Sequence, residues 1–174
     1  MAAPFHIIVA HDLNYGIGIK NGIPWHLPVD MSYFKEVTTK AKNNKKNAVI
    51  MGRKTWESIP EKFRPLPNRH NVVLSKTVST IDGAIVASSF NQGLEQCAED
   101  PMIDQIFVIG GSQIYNEAIS HPKCDTLYIT KVYKSHDCDA FFPDYKPKFN
   151  CTYASNIWVT KNGNCAFFKY KKIS

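Results

Sequence analysis

Short apolar runs rich in β-branched residues recur along the chain, and polar or turn-forming residues follow each of them. Runs of this length and composition are typical of buried strands, whereas apolar residues spaced three and four apart are typical of helices. The first pattern predicts eight strands, at residues 5–10, 48–51, 71–74, 84–87, 106–109, 125–133, 153–160 and 166–172. The second pattern predicts four helices, at residues 28–39, 55–59, 92–98 and 113–119.

Predicted strands and helices alternate through the first half of the chain, an order that implies right-handed crossovers and parallel strands. The last two predicted strands have no helix between them, and Asn162-Gly163 is a hairpin turn signal, so we expect antiparallel pairing there. The sequence therefore predicts a single α/β domain over residues 1–174. Its sheet is expected to be mixed, mostly parallel and eight-stranded, with about four flanking helices and antiparallel C-terminal strands.

The stretch from Pro24 to Phe34 places one carboxylate in apolar and aromatic company. Pro28 suits the first turn of a helix, because its missing N–H costs nothing there. On that helix Asp30, Phe34 and Val37 share one face, which is apolar apart from the acid. A buried carboxylate without a partner is unfavourable, so we expect Asp30 to bind a ligand with adjacent nitrogen donors. The simpler alternative is an acid favoured by the dipole at a helix N-terminus.

Composition limits the classes of protein that fit this chain. Its 174 residues, 44% of them hydrophobic, suffice for one sizeable core. The net charge of +6 favours anionic partners without choosing among nucleic acid, membranes and phosphorylated metabolites. Five scattered cysteines without a C-x-x-C pair favour free thiols in a reducing compartment and indicate neither a zinc site nor a disulfide framework. With no secretory leader and no apolar segment long enough to span a bilayer, we expect a cytoplasmic protein.

Three strand ends carry residues suited to phosphate binding. Gly110-Gly111-Ser112 leads from a buried strand into a helix, Gly52-Arg53-Lys54-Thr55 repeats this arrangement with two cations, and a third strand ends in Leu74-Ser75-Lys76. Glycine permits close approach of the backbone, and a helix N-terminus favours anions. Because ligands of open α/β sheets bind at the carboxyl ends of strands, the three ends are expected to face one polyphosphate. The extra cations favour NADP(H) over NAD(H).

The glycines at positions 16, 18 and 22 superficially match the dinucleotide fingerprint G-x-G-x-x-G. The third glycine comes one place late, and Pro24 follows where a helix should begin. We therefore interpret this segment as a glycine-hinged surface loop that is able to move over a site.

Together these residues resemble the dihydrofolate reductase family, and the match runs from about Phe5 to Lys172. The matching motifs agree in order, spacing and identity. They are Ile17-Gly18, Pro24-Trp25, Asp30 with Phe34, the run from Met51 to Pro60, the run from Leu66 to Arg69, Leu74-Ser75, the run from Ile109 to Tyr115, Thr130, and the run from Asp139 to Pro143. In that family NADPH passes a hydride to C6 of 7,8-dihydrofolate, and N5 gains a proton.

The resemblance implies a catalytic role for Asp30, Thr130 and Trp25. Asp30 is expected to hydrogen-bond the pterin within a network that includes Thr130, and burial should raise its pKa. Arg69 is expected to grip the glutamate α-carboxylate of the substrate, a task that suits a guanidinium. The implied substrate-binding residues are Ile8, Val9, Asp30, Met31, Phe34, Ile59, Leu66, Arg69, Ile109, Tyr115 and Thr130. The backbone carbonyls of Ile8 and Ile109 are expected to accept hydrogen bonds from 4-amino antifolate inhibitors.

The resemblance also implies an NADPH site and no metal site. The implied cofactor-binding residues are Ala10, Ile17, Gly52, Arg53, Lys54, Thr55, Leu74, Ser75, Lys76, Ile109, Gly110, Gly111, Ser112, Gln113, Ile114 and Tyr115. Ser75 and Lys76 are expected to hold the 2′-phosphate. A cis peptide bond is expected between Gly110 and Gly111.

Two features refine the resemblance. The acid at position 30 is Asp, as in bacterial members, whereas residues 58–66 resemble the longer eukaryotic loop. The mixture resembles protozoan members, in which the reductase is often fused to thymidylate synthase, so we expect either a free enzyme or the reductase half of such a bifunctional protein. As an isolated domain it is expected to be monomeric, to act on dihydrofolate and to need neither membrane nor nucleic acid.

Three alternatives remain open on the sequence. A reductase of riboflavin synthesis would keep the glycine-rich cofactor end, but it need not combine Pro24-Trp25, Asp30 and Arg69. A basic nucleic-acid-binding module would explain the net charge but not the apolar face around Asp30. A domain that binds folate without turnover shares all these residues. Individually, Trp56 and Tyr115 also fit plain core roles, and Arg69 fits an ordinary surface arginine.

Overall fold

The structure is a computed structural model, and it describes residues 3–174. The strands, in chain order, are β1 (Phe5–His11), β2 (Gly16–Gly18), β3 (Lys46–Gly52), β4 (Arg69–Leu74), β5 (Ile85–Ala87), β6 (Ile103–Gly110), β7 (Cys124–Val132), β8 (Ala140–Phe141), β9 (Phe149–Ala154), β10 (Trp158–Thr160) and β11 (Gly163–Lys172). The helices are α1 (Pro28–Thr39), α2 (Arg53–Ser58), α3 (Phe90–Glu99) and α4 (Ser112–Ile119), with a 3₁₀ turn at Glu61–Phe63.

Nine of the strands form one mixed sheet in the order β10-β11-β7-β1-β6-β3-β4-β5, with β9 pairing β11 beside β10. The five pairings among β1, β3, β4, β5, β6 and β7 are all parallel, whereas β11 pairs antiparallel with its three neighbours. The predicted fold class is therefore confirmed. Within the described residues no helix is both long and apolar enough to cross a membrane.

The predicted strand at residues 153–160 is corrected to two strands, which makes nine strands in the main sheet instead of eight. The break falls at Ser155, whose side-chain oxygen accepts the backbone N–H of Phe167 at 2.9 Å. This bond uses a donor that a continuous strand would need for its ladder, so β9 ends at Ala154 and β10 begins at Trp158. Serine competing with the backbone in this way leaves no trace in hydrophobic periodicity.

The central parallel strands are buried on both faces, as their continuous apolar runs require. On one face, Phe90 and Leu94 of α3 and Ala118 of α4 pack against residues such as Ile50. On the other face, Trp56 of α2 and Phe34 of α1 pack against a separate set of strand residues. The two helix pairs therefore cover opposite sides of the sheet and leave the strand ends between them open to a ligand.

Candidate active site

A cavity of about 470 Å³ opens at the carboxyl ends of the parallel strands. Three kinds of segment line it: the ends of strands, the starts of helices, and residues 17–23 together with residues 139–140, which lie beside them. The lining residues are Val9, Ala10, Ile17, Gly18, Ile19, Asn21, Gly22, Ile23, Gly52, Lys54, Thr55, Ser58, Leu74, Ile109–Tyr115, Asp139 and Ala140. The predicted cofactor residues among these are Ala10, Ile17, Gly52, Lys54, Thr55, Leu74 and all seven of Ile109–Tyr115.

The other three predicted cofactor residues, Arg53, Ser75 and Lys76, lie outside this lining. They follow β3 and β4, whose last residues Gly52 and Leu74 are register partners. The exposed Arg53 side chain crosses between the two strand ends, because its Nη1 donates to the Thr77 hydroxyl at 3.0 Å. These residues therefore form an exposed polar extension of the cavity at the neighbouring strand end.

The glycine pair after β6 needs glycine at its first position. Gly110 has a φ of +122°, and a Cβ there would lie 3.3 Å from the ring of Tyr115. A Cβ on Gly111 would lie 3.5 Å from the hydroxyl oxygen of Thr55, so the starts of α4 and α2 face each other closely. The peptide bond between Gly110 and Gly111 is cis, as expected.

Asp30 lies in the first turn of α1, as predicted, and it is partly buried. Its Oδ1 accepts a hydrogen bond of 2.7 Å from the hydroxyl of Thr130, which β7 holds in a buried position. Burial raises the pKa of Asp30, and the bond from Thr130 opposes that rise only in part. No ion pair within residues 3–174 involves Asp30. The side chain is thus a carboxylate with unused acceptor capacity and no cation to neutralise it.

Apolar side chains cover the face of the sheet against which α1 packs, and Phe34 and Val37, from the helix that carries Asp30, are among them. The cluster includes five of the predicted substrate-binding residues, Ile8, Phe34, Ile59, Leu66 and Ile109. Met31 was expected to join them but is 58% exposed, because it lies one residue, or about 100°, around the helix from Asp30. Trp25 packs in a different cluster, with Leu27, Val132 and Phe167.

Tyr115 connects the cavity with the face that holds Asp30. Its ring is buried, and its hydroxyl donates to the backbone carbonyl of Ile8 at 2.9 Å. This bond uses one of the two lone pairs on the carbonyl that was predicted to accept from an inhibitor's amino group, which leaves the second lone pair free. Spacing along the sequence gives no sign of this contact, since the two residues are 107 positions apart.

Arg69 is buried, contrary to the simple expectation for a lone arginine. Its Nε donates to the carbonyl of Pro67 at 2.8 Å, and its Nη1 donates to the Thr38 hydroxyl at 3.0 Å. Burial lowers the pKa of its guanidinium. Asn68 precedes it with a φ of +61°, a conformation that Asn tolerates better than most residues, so the turn into β4 forms without glycine. The remaining N–H groups of Arg69 are available to a carboxylate.

The glycine-rich segment is not simply a surface loop. Gly16–Gly18 forms β2 and pairs with β8, and Asp139 accepts the backbone N–H of Lys20 at 3.0 Å. Ile19, Asn21 and Ile23 also line the cavity, although none of them was predicted as a site residue. Asp139, which accepts the bond from Lys20, also lines the cavity. The periodicity of so short a strand is too weak to detect in the sequence.

Comparisons with known proteins agree with this geometry. The family profile described as dihydrofolate reductase matches residues 4–172. The dihydrofolate reductase of Heliothis virescens is 38% identical over 179 residues, which cover 97% of this chain and 97% of that protein. The dihydrofolate reductase of Drosophila melanogaster is 40% identical over 149 residues, which cover 83% of this chain and 82% of that protein.

Bifunctional proteins are similar as well. Bifunctional dihydrofolate reductase-thymidylate synthase 1 of Arabidopsis thaliana is 40% identical over 167 residues, which cover 91% of this chain but 32% of that protein. The chain therefore spans roughly a third of the length of this bifunctional relative. Since a single family profile and full-length relatives both cover nearly the whole chain, the protein belongs to the dihydrofolate reductase family.

Proposed function

We propose that this chain reduces 7,8-dihydrofolate to 5,6,7,8-tetrahydrofolate with NADPH, by hydride transfer to C6 and protonation at N5. The observation that carries the proposal is the Asp30 carboxylate, which accepts a bond of 2.7 Å from Thr130 and has no ion-pair partner within residues 3–174. Phe34, one turn further along the same helix, packs into an apolar cluster. A pterin ring offers the flat apolar surface and the adjacent N–H donors that such a site lacks. The names of the single-domain relatives support the same reaction.

The cavity fits a dinucleotide. At its polar end, Lys54 and Thr55 follow β3, and the N-terminal residues of α4 follow the close-approach glycines Gly110 and Gly111. These groups would hold the pyrophosphate, because free backbone N–H groups and a nearby cation both favour anions. At the other end, Ala10, Ile17 and Tyr115 would hold the nicotinamide. When bound there, NADPH supplies the hydride.

The strand ends beyond the cavity support NADPH over NADH. Arg53 and Lys76 are exposed cations that follow adjacent strand ends, and Ser75, directly before Lys76, adds a hydroxyl group. Arg53 pairs with the exposed Glu57 at 3.2 Å, and no ion pair within the described residues involves Lys76, so a 2′-phosphate would bring negative charge to strand ends that are rich in cations. We therefore assign these three residues to the 2′-phosphate.

The residues of the chain act mainly by orientation and exclusion of water. Asp30 accepts N–H groups of the pterin and polarises the ring, while Thr130 fixes the carboxylate. Phe34, Ile59 and Leu66 exclude bulk water from the ring, which strengthens each polar contact there. We assign the proton at N5 to water that enters the site, since the segment over the cavity includes the exposed Ile23 and Gly22.

We further propose that the protein acts as a cytoplasmic monomer on a small-molecule substrate, is inhibited by antifolates, and needs neither nucleic acid nor a membrane. All five cysteines are free, which fits a reducing compartment. Within the described residues no group of three or more His, Cys, Asp or Glu side chains is placed to hold a metal ion.

The reaction itself is tested by the loss of NADPH absorbance when dihydrofolate is added to purified protein. We expect turnover with NADPH and its complete inhibition by methotrexate. If methotrexate and NADPH both bind but no turnover occurs, the chain is a folate-binding domain and the proposed reaction is wrong. Binding of RNA with steep salt dependence, in place of NADPH binding, would favour the nucleic-acid alternative.

The role of Asp30 is tested by Asp30→Asn. We expect kcat at neutral pH to fall about a thousandfold, because the amide can no longer polarise the ring as an anion, while the Kd for NADPH stays unchanged. Activity should recover at low pH, where the substrate is already protonated. The control is Asp82→Asn, which changes an exposed acid and should leave kcat unaltered. Full neutral-pH activity in the Asp30 variant would contradict the assignment.

The role of Arg69 is tested by Arg69→Lys and two substrates. We expect KM for dihydrofolate to rise about thirtyfold, because lysine cannot form the paired bonds of a guanidinium with a carboxylate. A dihydropterin without the glutamate tail serves as the control, and its kcat/KM should be equal in the two proteins. A similar loss with both substrates would show that Arg69 only holds Thr38 and Pro67 in place.

A further inference from the structure

A second buried carboxylate, Asp12, lies directly after β1 and outside the cavity lining. The residue is 1% exposed. Its Oδ1 accepts the backbone N–H groups of Asn14 at 2.9 Å and Gly16 at 2.8 Å. Its Oδ2 accepts the backbone N–H of His136 at 2.8 Å. Burial acts to raise the pKa of Asp12, but these three bonds outweigh it and lower the pKa, so the carboxylate is ionised at neutral pH.

The two oxygens of Asp12 have different tasks. Oδ1 closes a local turn, which the backbone bond from the Asp12 N–H to the Gly16 carbonyl at 2.9 Å completes. Oδ2 reaches a segment 124 residues further along the chain. The two segments are in close contact, since a Cβ on Gly16 would lie 2.5 Å from the sulfur of Cys138. One buried carboxylate therefore joins the two segments where they begin, and an exposed bond from the Asn14 side chain to Ser135 links them nearby.

Both segments lead directly into walls of the cavity. Gly16 begins β2, and the chain continues through Ile17 to Ile23 along the lining. The other segment continues from His136 to Asp139 and Ala140, which line the same cavity, and its strand β8 pairs with β2.

Further bonds join the segments. The Asp139 N–H donates to the Gly18 carbonyl at 2.9 Å and the Phe142 N–H to the Tyr15 carbonyl at 2.8 Å, while the exposed Asp139 carboxylate accepts from Lys20. The Asp12 bridge differs from these bonds because one buried, charged group accepts from both segments.

We infer that Asp12 is a positioning residue for the cofactor: its carboxylate bridges the two segments and so fixes residues 16–23 over the NADPH site. The inference rests on the proposed function. A carboxylate is needed because the bridge requires acceptors at both ends. An amide of the same shape presents one oxygen and one NH₂ group, so in either orientation an N–H donor of the backbone faces another donor.

The test is Asp12→Asn, with Asp137→Asn as the matched control. Asp137 is exposed, lies in the same segment, and has no hydrogen-bond partner within the described residues. In the Asp12 variant we expect KM for NADPH to rise about tenfold, with KM for dihydrofolate unchanged, because the bridge holds the cofactor side alone. The control should match the wild type in both constants.

Hydrogen exchange gives a readout that does not depend on activity. The amides of residues 16–23 or 136–141 should exchange faster in Asp12→Asn, while those of β3 and β6 keep their protection. Asp12→Ser is a second variant, since its hydroxyl can still close the turn at Gly16 but cannot also reach His136; it should show the same KM change if Asp12→Asn fails to fold.

Unchanged exchange and unchanged KM for NADPH in an active variant would overturn the inference. Uniformly faster exchange in both β3 and the two segments would also overturn it, because Asp12 would then support only overall stability. Failure of the wild-type protein to oxidise NADPH would instead refute the proposed function, and exchange at the two segments would still report on the bridge.

Discussion

The site depends on one interaction, the hydrogen bond from Thr130 to the Asp30 carboxylate, which has no counter-ion in the part of the chain that the structure describes. Because burial raises the pKa of Asp30, the folded protein keeps this proton to higher pH than the unfolded chain does. The stability that Asp30 contributes is therefore present below its unfolded pKa and is lost as the pH rises through its folded pKa. Ionisation of this side chain therefore opposes folding, which favours a role in binding over a role in stabilising the fold.

The sheet determines how the two halves of the site meet. Strand β1 separates them: Ile8 packs with the apolar cluster near Asp30, whereas Val9 and Ala10 line the cavity. The bond from the Tyr115 hydroxyl to the Ile8 carbonyl fixes α4, and with it the cis Gly110–Gly111 bond, against the same strand. Parallel strands whose carboxyl ends share one edge thus bring a carboxylate from α1 and the glycine-containing turns after β3 and β6 to neighbouring positions.

Much of this arrangement follows from local sequence, and the parts that do not have identifiable causes. Helix α1 was predicted with its observed limits because Pro28 and the spacing of Phe34 and Val37 act within one helix. The split at Ser155, the buried bonds of Arg69 and the bridge at Asp12 were not predicted, because each depends on a side chain that bonds a distant or competing backbone group. The exposure of Met31 was not predicted either, because it depends on how α1 is rotated against the sheet.

The most direct test of the central claim is a ¹³C NMR titration of the Asp30 carboxyl carbon, assigned by comparison with Asp30→Asn. We expect a midpoint clearly above the value of about 4 found for ordinary aspartates, and a resonance that changes when methotrexate binds. A midpoint at or below that value, with no response to the inhibitor, would show that the side chain is solvated or paired and would contradict the account.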